Sequence, residues 1–343
     1  MLKKKSSEEN PEIDIQQQIQ KIIENTKKEF GEKSVSTLEE SGLGGRKILS
    51  TGSLLLDKII EAGGYIYGTI IEIFGQPGVG KSTLALHAIS ECQKQGKIAA
   101  YIDLENKLGK NNEYAANIGV NAKELIKFNS LGGEEVFRFI NKNIEEGVSL
   151  FVVDSVAALI PEANLKEGAE SQGVASKARL ISERLPITNL KMRDKDVILI
   201  FINQIREDFS SSFFGPKLTT PGGWSLEHHV SLRIMLRPRE RIQKDTEYIG
   251  IKTQANIIKN SFGSLKKKAA DLEIIFGQGI QKEREIIDLA VEKDIIQKSG
   301  NWYSYKEKKI GNGRESVIDY LIKNPLVFSE IEQMTFPSLS DNA

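Results

Sequence analysis

The eight residues Gly75–Ser82, GQPGVGKS, constrain this chain more than any other stretch. They satisfy G-x-x-x-x-G-K-[ST], and their surroundings decide what that means. An apolar, β-branched run, TIIEIF, leads in, and a helical pattern, STLALHAISECQKQGK, leads out. A strand that ends in a glycine-rich turn and opens a helix aims successive backbone N–H groups at one point, at the positive end of the helix. That arrangement is a cradle for phosphate. Gly75 and Gly80 allow the turn, Lys81 is expected to reach the β- and γ-phosphates of a nucleoside triphosphate, and the Ser82 hydroxyl is expected to ligate Mg²⁺. Gln76, Pro77, Gly78, Val79 and Thr83 make up the rest of the expected cradle.

A strand–loop–helix unit of this kind belongs in an α/β sheet, and the neighbouring sequence agrees. Short apolar runs recur at Thr69 to Phe74, Ile98 to Ile102, Leu150 to Val153 and Val197 to Ile202. They are too short for helices and too continuously apolar for half-exposed strands, so they read as buried parallel strands. Helical patterns such as GGEEVFRFINKNIEEG lie between them, which predicts a mostly parallel twisted sheet flanked by helices. Further strand-like runs at Val230 to Leu236, Gly250 to Ile258 and Leu272 to Phe276 extend the sheet. Five divisions follow: a disordered tail at 1–14, a helix and strand element at 15–45, the core at 46–280, a small α+β domain at 281–335 and a flexible tail at 336–343. In the second of these, Ile15, Ile19, Ile22, Ile23 and Phe30 fall on one helical stripe, and KSVSTL reads as a short strand.

Charge narrows the partners. The chain has 343 residues, 47 of them basic and 47 acidic, so any binding to nucleic acid must use local patches rather than a global field. Cys92 is the only cysteine, which excludes an intrachain disulfide and fits a reducing interior. MLKKKSSEEN is followed by no apolar run, and nothing approaches the length of a membrane span, so a cytoplasmic chain with no membrane role is expected. His87, His228 and His229 with Cys92 match no metal-binding spacing.

Three strand ends carry candidate chemistry. SLFVVD delivers Asp154 to the Mg²⁺ side of the loop, because ligands of open α/β sheets lie at the carboxyl ends of strands. AAYIDLEN ends in Asp103 and Glu105, and Glu105 is the candidate base that orients water. VILIFINQIR ends in Asn203, Gln204 and Arg206, and its two amides are suited to sensing a terminal phosphate. The following EDFSSSFFGPKLTTPGG has no helical period and reads as a functional loop.

The combination and order of STGSLLLD, the phosphate loop, YIDLEN, VVDSVAALIPEA, FINQIR, TTPGG and WYSYKEKKIGNG resemble the bacterial RecA recombinase family over about residues 15 to 335. That resemblance implies an ATP- and Mg²⁺-dependent, DNA-dependent ATPase. Such a protein forms a homo-oligomeric helical filament on single-stranded DNA and pairs it with duplex DNA in recombination, repair and the damage response. It implies Tyr114 and Gly277 as nucleotide contacts, and Glu105, Lys81, Gln204 and Lys259 as catalytic groups. It also implies that the N-terminal helix docks on a neighbouring subunit. Residues 164–173 correspond to the first DNA-binding loop, with Val174 as an apolar wedge and Arg179 near DNA. Arg206, Phe214, Gly222 and Gly223 belong to the second loop. Lys298, Lys309 and Arg314 correspond to basic positions that gather duplex DNA.

Several positions differ from the family pattern. Ser261 stands where a second interface lysine is usual, and two extra residues separate Glu105 from Tyr114. Glu207 and Asp208 open the second loop, and His228 replaces an aromatic residue. Pro186 interrupts ARLISERLPITNL, where it is expected to kink or end a helix. These differences motivate an alternative: a paralogue that forms an ATP-bound structural or regulatory filament with weak or no strand exchange.

Overall fold

The computed structural model describes residues 11–32, 34–37, 47–110, 112–130, 132–167, 174–208, 217–263 and 268–336. The chain divides into two units, Met1–Arg46 and Lys47–Ala343. In the first, helix α1 (Pro11–Phe30) begins earlier than the apolar stripe indicates, with a proline at its start, where a missing N–H costs nothing. The expected tail is therefore helical over 11–14, and residues 1–10 lie outside the description. Ile15, Ile19, Ile22 and Phe30 are exposed, and Ile23 is half-buried. The described part of KSVSTL, residues 34–37, is not a strand, contrary to expectation; β-prone residues need a partner edge to become one.

The second unit opens with β1 (Ile48–Leu49), α2 (Leu54–Ile60) and β2 (Tyr65–Ile66), the two strands pairing antiparallel. The phosphate-loop unit follows as β3 (Thr69–Gly75) and α3 (Lys81–Lys94). Then come β4 (Ile98–Asp103), α4 (Asn112–Asn117), β5 (Leu125–Phe128), α5 (Gly133–Asn143), β6 (Val148–Asp154), α6 (Glu162–Glu167), α7 (Val174–Met192) and β7 (Ile198–Gln204). Two short strands, β8 (Arg206–Asp208) and β9 (Lys217–Thr219), pair with each other before α8 (Gly223–His229). β10 (Leu232–Lys244), β11 (Glu247–Asn260), β12 (Ala269–Ile275) and β13 (Gly279–Ile280) complete the sheet. The rest is α9 (Lys282–Glu292), β14 (Gln297–Ser299), β15 (Trp302–Tyr305), β16 (Lys308–Asn312), α10 (Arg314–Lys323) and α11 (Pro325–Thr335).

Among the described residues the main sheet has nine strands in the order β13-β12-β11-β10-β3-β7-β6-β4-β5. β10, β3, β7, β6, β4 and β5 run parallel, and β11, β12 and β13 extend the sheet antiparallel. The continuous apolar runs are explained by helices on both faces. Ile71, Ile73, Leu150, Val152, Ile198 and Ile200 pack on the α3 face with Leu84 and Ala88. Their alternate neighbours Ile70, Phe151, Val153, Leu199 and Phe201 pack on the other face with Val136, Phe137, Leu180 and Leu185 of α5 and α7. Each such side chain contributes about 1.5–3 kcal/mol when fully buried. β5 escapes the sequence reading because it is a four-residue edge strand whose central residues, Ile126 and Lys127, are exposed.

Two further expectations change. α7 runs through Pro186 without ending there. Pro186 lies on the exposed side while Ile181, Leu185 and Thr188 are buried, so packing holds the helix together across the missing bond. The second loop is not wholly irregular: its two ends are zipped as β8 and β9, while 209–216, including Phe214, lie outside the described residues.

The small domain has its own core of Ile286, Ile287, Tyr303, Tyr305, Val317 and Leu321, joined by Leu54 of α2. The STGSLLLD stretch fastens it to the sheet. Ser53 caps α2 by accepting from Leu56 N, and its hydroxyl donates to Glu285 Oε1 at 2.8 Å. Leu54 N–H donates to Glu285 Oε2 at 2.6 Å. Ser50 Oγ and Thr51 N–H donate to Asp57 at 2.6 and 2.9 Å. Burial, outweighing these donors, pushes Asp57 up to about 6 and Glu285 up to about 7.

Candidate functional site

β3, β4, β6 and β7 all end at the same edge of the sheet, where Asp154 and Gln204 at the ends of β6 and β7 and the loops after β3 and β4 line a cleft of about 290 Å³. Two glycines are required by geometry. Gly80 takes φ +91° at the start of α3, where a Cβ would meet Ile274 Cδ1 at 2.2 Å. A Cβ on Gly75 would meet the Leu236 carbonyl oxygen at 2.4 Å across the β3–β10 pairing. Gln76, Pro77 and Gly78 are exposed at the mouth of the cleft, and Val79 is buried beneath them. Lys81 is buried and turns back on the loop, donating to Gly75 O at 3.0 Å and Gln76 O at 2.7 Å. Burial lowers its pKa against the pull of Asp154 and Glu105.

The oxygen donors converge on the helix start. Ser82 Oγ donates to Asp154 Oδ2 at 2.8 Å, and Tyr101 OH donates to the same oxygen at 2.6 Å. Burial raises Asp154 despite these two hydrogen bonds. A hydroxyl and a carboxylate at this spacing suit Mg²⁺, which takes few protein ligands and fills its shell with water and phosphate oxygens. Among the described residues no cluster of three or more His, Cys, Asp or Glu side chains is placed to hold a metal by itself. The donor set, the glycine cradle and a lysine held by the loop's own carbonyls fit a magnesium–triphosphate group.

Glu105 and Gln204 meet on the far side of this pair. Glu105 Oε1 accepts from Ser155 Oγ at 2.6 Å and from Gln204 Nε2 at 3.3 Å, and Oε2 pairs with Lys107. Burial pulls the Glu105 pKa upward, but the hydrogen bonds from Lys107, Ser155 and Gln204 outweigh it and leave the carboxyl below its usual range. Tyr114 OH shares a 2.7 Å hydrogen bond with Thr83 Oγ1, and Tyr114 lines the cleft. Opposite stand Ile251, Ile274 and the exposed Phe276, which the sequence reading missed, as it missed Tyr101, Ser155 and Lys107. Gly277 follows Phe276 with φ +75° and accepts from Asn117 Nδ2 at 2.9 Å, beside the cleft rather than on its wall.

Asn203, adjacent to Gln204, faces the opposite way. Its Nδ2 donates to Glu72 Oε1 at 2.8 Å and to Pro221 O at 2.7 Å, tying β7 to the end of the second loop. Glu72 is paired with Arg233 at 2.6 Å, and Arg233 reaches Thr220 and Glu227. Lys259 donates to the carbonyls of Glu227 and His228 at 2.8 and 3.2 Å, at the end of α8.

The remaining candidates are scattered. Val174 opens α7, with its side chain outside the description, and Arg179 is exposed and paired with Glu183 at 2.8 Å. Residues 168–173 lie outside the described residues, and the segment before them is the short helix α6. The backbone of Arg206 pairs with Thr219; Gly222 (φ +101°) and Gly223 begin α8. Lys298 and Lys309 stand over the rings of Tyr303 and Trp302 at 5.3 and 4.5 Å. Arg314 does not join this surface. Its guanidinium is turned into an ion-pair lattice with Glu273 at 3.0 Å, Asp288 at 3.4 Å and the Arg284 carbonyl, because three acceptors surround it at the domain junction. Among the described residues no helix is long and apolar enough to cross a membrane.

Comparison with known proteins agrees with this geometry along nearly the whole chain. The family model described as the RecA N-terminal domain matches residues 17–281, and that of the RecA C-terminal domain matches residues 284–336. Protein RecA of Levilactobacillus brevis is 39% identical over 316 residues, covering 92% of this chain and 83% of its own length. Protein RecA of Listeria welshimeri is 38% identical over 321 residues, covering 93% and 91%. Protein RecA of Macrococcus caseolyticus is 39% identical over 319 residues, covering 93% and 89%. With both family models matched end to end and a phosphate cradle at the strand ends, the chain belongs to the RecA family.

Proposed function

We propose that this chain is a DNA-dependent ATPase that assembles on single-stranded DNA and promotes homologous pairing and strand exchange with duplex DNA. The observation that carries this reading is the meeting of Glu105 and Gln204 in the cleft of Lys81, Ser82 and Asp154, on the strand that leads directly into the second loop. Bound Mg²⁺ supplies charge neutralisation at the phosphoryl oxygens, held by Ser82 and Asp154. Lys81 exchanges the loop carbonyls for phosphate oxygens. Glu105 holds the attacking water and takes its proton. Gln204 senses the terminal phosphate, and its position at the base of β8 lets that contact bias the loop. Tyr114 and Phe276 offer aromatic faces to the base.

On the DNA side the proposal assigns the backbone N–H groups of Gly222 and Gly223, with Val174, Arg179, Arg206 and Phe214, to the single strand. Lys298 and Lys309 are assigned to duplex DNA, with Arg314 holding the small domain in place. Loops that present N–H donors and a few cations give sequence-tolerant, salt-dependent binding to the phosphate backbone, which suits a chain of zero net charge. The exposed stripe of α1 is assigned to the contact between successive subunits. The assembled water-holding cluster favours turnover over a purely structural filament.

The test is ATP turnover and strand exchange with and without single-stranded DNA. Turnover is expected to rise with DNA, and Glu105→Gln is expected to lower it by about 100-fold or more, the scale of general-base catalysis. A wild type whose turnover ignores DNA removes the recombinase reading. An active Glu105→Gln variant removes Glu105 as the base.

A further inference from the structure

The cleft contains a cation that the mechanism above leaves idle. Lys107 sits on the loop after β4, and that loop is pinned from below. Its own N–H donates to Asp103 Oδ1 at 2.9 Å, and the N–H of Leu108 donates to Oδ2 at 3.0 Å. Asp103 is buried and paired with Lys127 at 3.0 Å, so the anchor is firm. Between Glu105 and Lys107, Asn106 takes a left-handed turn with φ +52°, a conformation asparagine tolerates. The Lys107 ammonium thereby lies on Glu105 Oε2.

Three facts give this pairing meaning. Among the described residues Lys81 and Lys107 are the two cations on the cleft wall, and they differ: Lys81 is buried, whereas the Lys107 side chain is 64% exposed. The carboxylate that should hold water is fully engaged, with Ser155 and Gln204 on Oε1 and Lys107 on Oε2. Position 261 is serine, and Lys259 is occupied by the carbonyls that end α8. The ammonium end of this pair faces solvent, so the lysine can exchange the carboxylate for a better acceptor without leaving a cation buried. A terminal phosphate, carrying more charge and more acceptor oxygens than a carboxylate, is a better acceptor.

We propose that Lys107 is a contact in cis for the terminal phosphate of a bound nucleotide, and that it pairs with Glu105 when no terminal phosphate competes for it. A triphosphate draws the ammonium off Glu105, and the Oε2 so released is free to hold water. A diphosphate leaves the pair closed. The exchange makes and breaks no covalent bond. The inference rests on the reading of this cleft as a nucleoside triphosphate site.

Isothermal titration calorimetry on the full chain, with Mg²⁺ and either ATPγS or ADP, tests it. Lys107→Ala is expected to weaken ATPγS binding by about tenfold, the scale of one charge-assisted hydrogen bond, while ADP binding stays within about twofold. Lys107→Arg, which keeps the charge, is expected to restore most of the preference for triphosphate. Thermal unfolding of both variants should match the wild type, since the side chain is largely solvated. Equal losses for both nucleotides, or no loss for either, overturn the role of Lys107 and leave the nucleotide site standing. A wild type that binds neither nucleotide overturns both.

Discussion

Two charged clusters meet at the end of β7, where Asn203 belongs to one and Gln204 to the other, and they are built on opposite plans. In the cleft, Lys81, Glu105, Asp154 and Gln204 are partly satisfied by one another and partly by groups that a ligand displaces. Behind it, Glu72, Asn203 and Arg233 are buried and satisfied internally, with each Glu72 oxygen taking one donor. Arg233 and Glu72 are direct partners in the β10–β3 register, and its guanidinium also stands 4.8 Å from the centre of the Phe74 ring. The difference teaches that a polar residue at a strand end becomes chemical or structural according to the face it occupies. Asn203 and Gln204 differ by one methylene and one position, and the two-residue period of the strand sends them to separate clusters.

The strongest way to break the comparison is Arg233→Ala. It leaves the Glu72 carboxylate buried without its cation, and the expected loss is about 3–5 kcal/mol of unfolding free energy, read by urea denaturation. If nucleotide affinity fell as steeply in a variant still folded, the two clusters would be one.

The carboxylates that fasten the small domain sharpen the contrast, because Glu285 has neutral donors where Glu72 has a guanidinium. A carboxyl whose pKa is higher in the folded than in the unfolded chain stabilises the fold below the unfolded value, near 4. That contribution is lost as pH rises through about 6 for Asp57 and about 7 for Glu285. Asp57 feels Lys282, and Glu285 feels Asp57. Stability should therefore fall between about pH 4 and 7, by on the order of 3 kcal/mol for each group at about 1.4 kcal/mol per unit. Glu285→Gln should flatten the profile measured by thermal unfolding across that range; an unchanged slope would remove Glu285 as its source.

A paired substitution on β7 gives the smallest expected effect on stability and the cleanest separation. Asn203→Ala leaves Glu72 Oε1 and Pro221 O short of a donor, and about 1–3 kcal/mol of stability is expected to go with it. Gln204→Ala faces the open cleft and is expected to change stability by less than about 0.5 kcal/mol while depressing ATP turnover. Matching stability losses for both would erase the distinction between the faces.

Much of this was legible beforehand, for reasons that differ by element. β3, β6 and β7 announce themselves because a strand buried on both faces must be apolar throughout, and the phosphate loop does so because its backbone admits few residues. β5 was hidden by its exposed edge, and the β8–β9 zipper by pairing between segments that a linear pattern does not connect. Pro186 reads as a kink or an end of its helix, and α7 continues through it because its buried side holds it. Arg314 reads as a surface cation, yet Glu273 and Asp288 draw it inward.

The order of amino acids by itself therefore determined the sheet, the cradle at Gly75–Ser82 and the strand ends at Asp154, Glu105 and Gln204, since each follows from local periodicity and from what the backbone permits. Only the tertiary structure decided which polar group faces which. The turn at Asn106 lays Lys107 on Glu105, the pleat sends Asn203 away from Gln204, and α9 brings Glu285 to the start of α2, 231 residues earlier in the chain. Such pairings depend on distances that no stretch of sequence contains, and the charge of each group depends on them in turn.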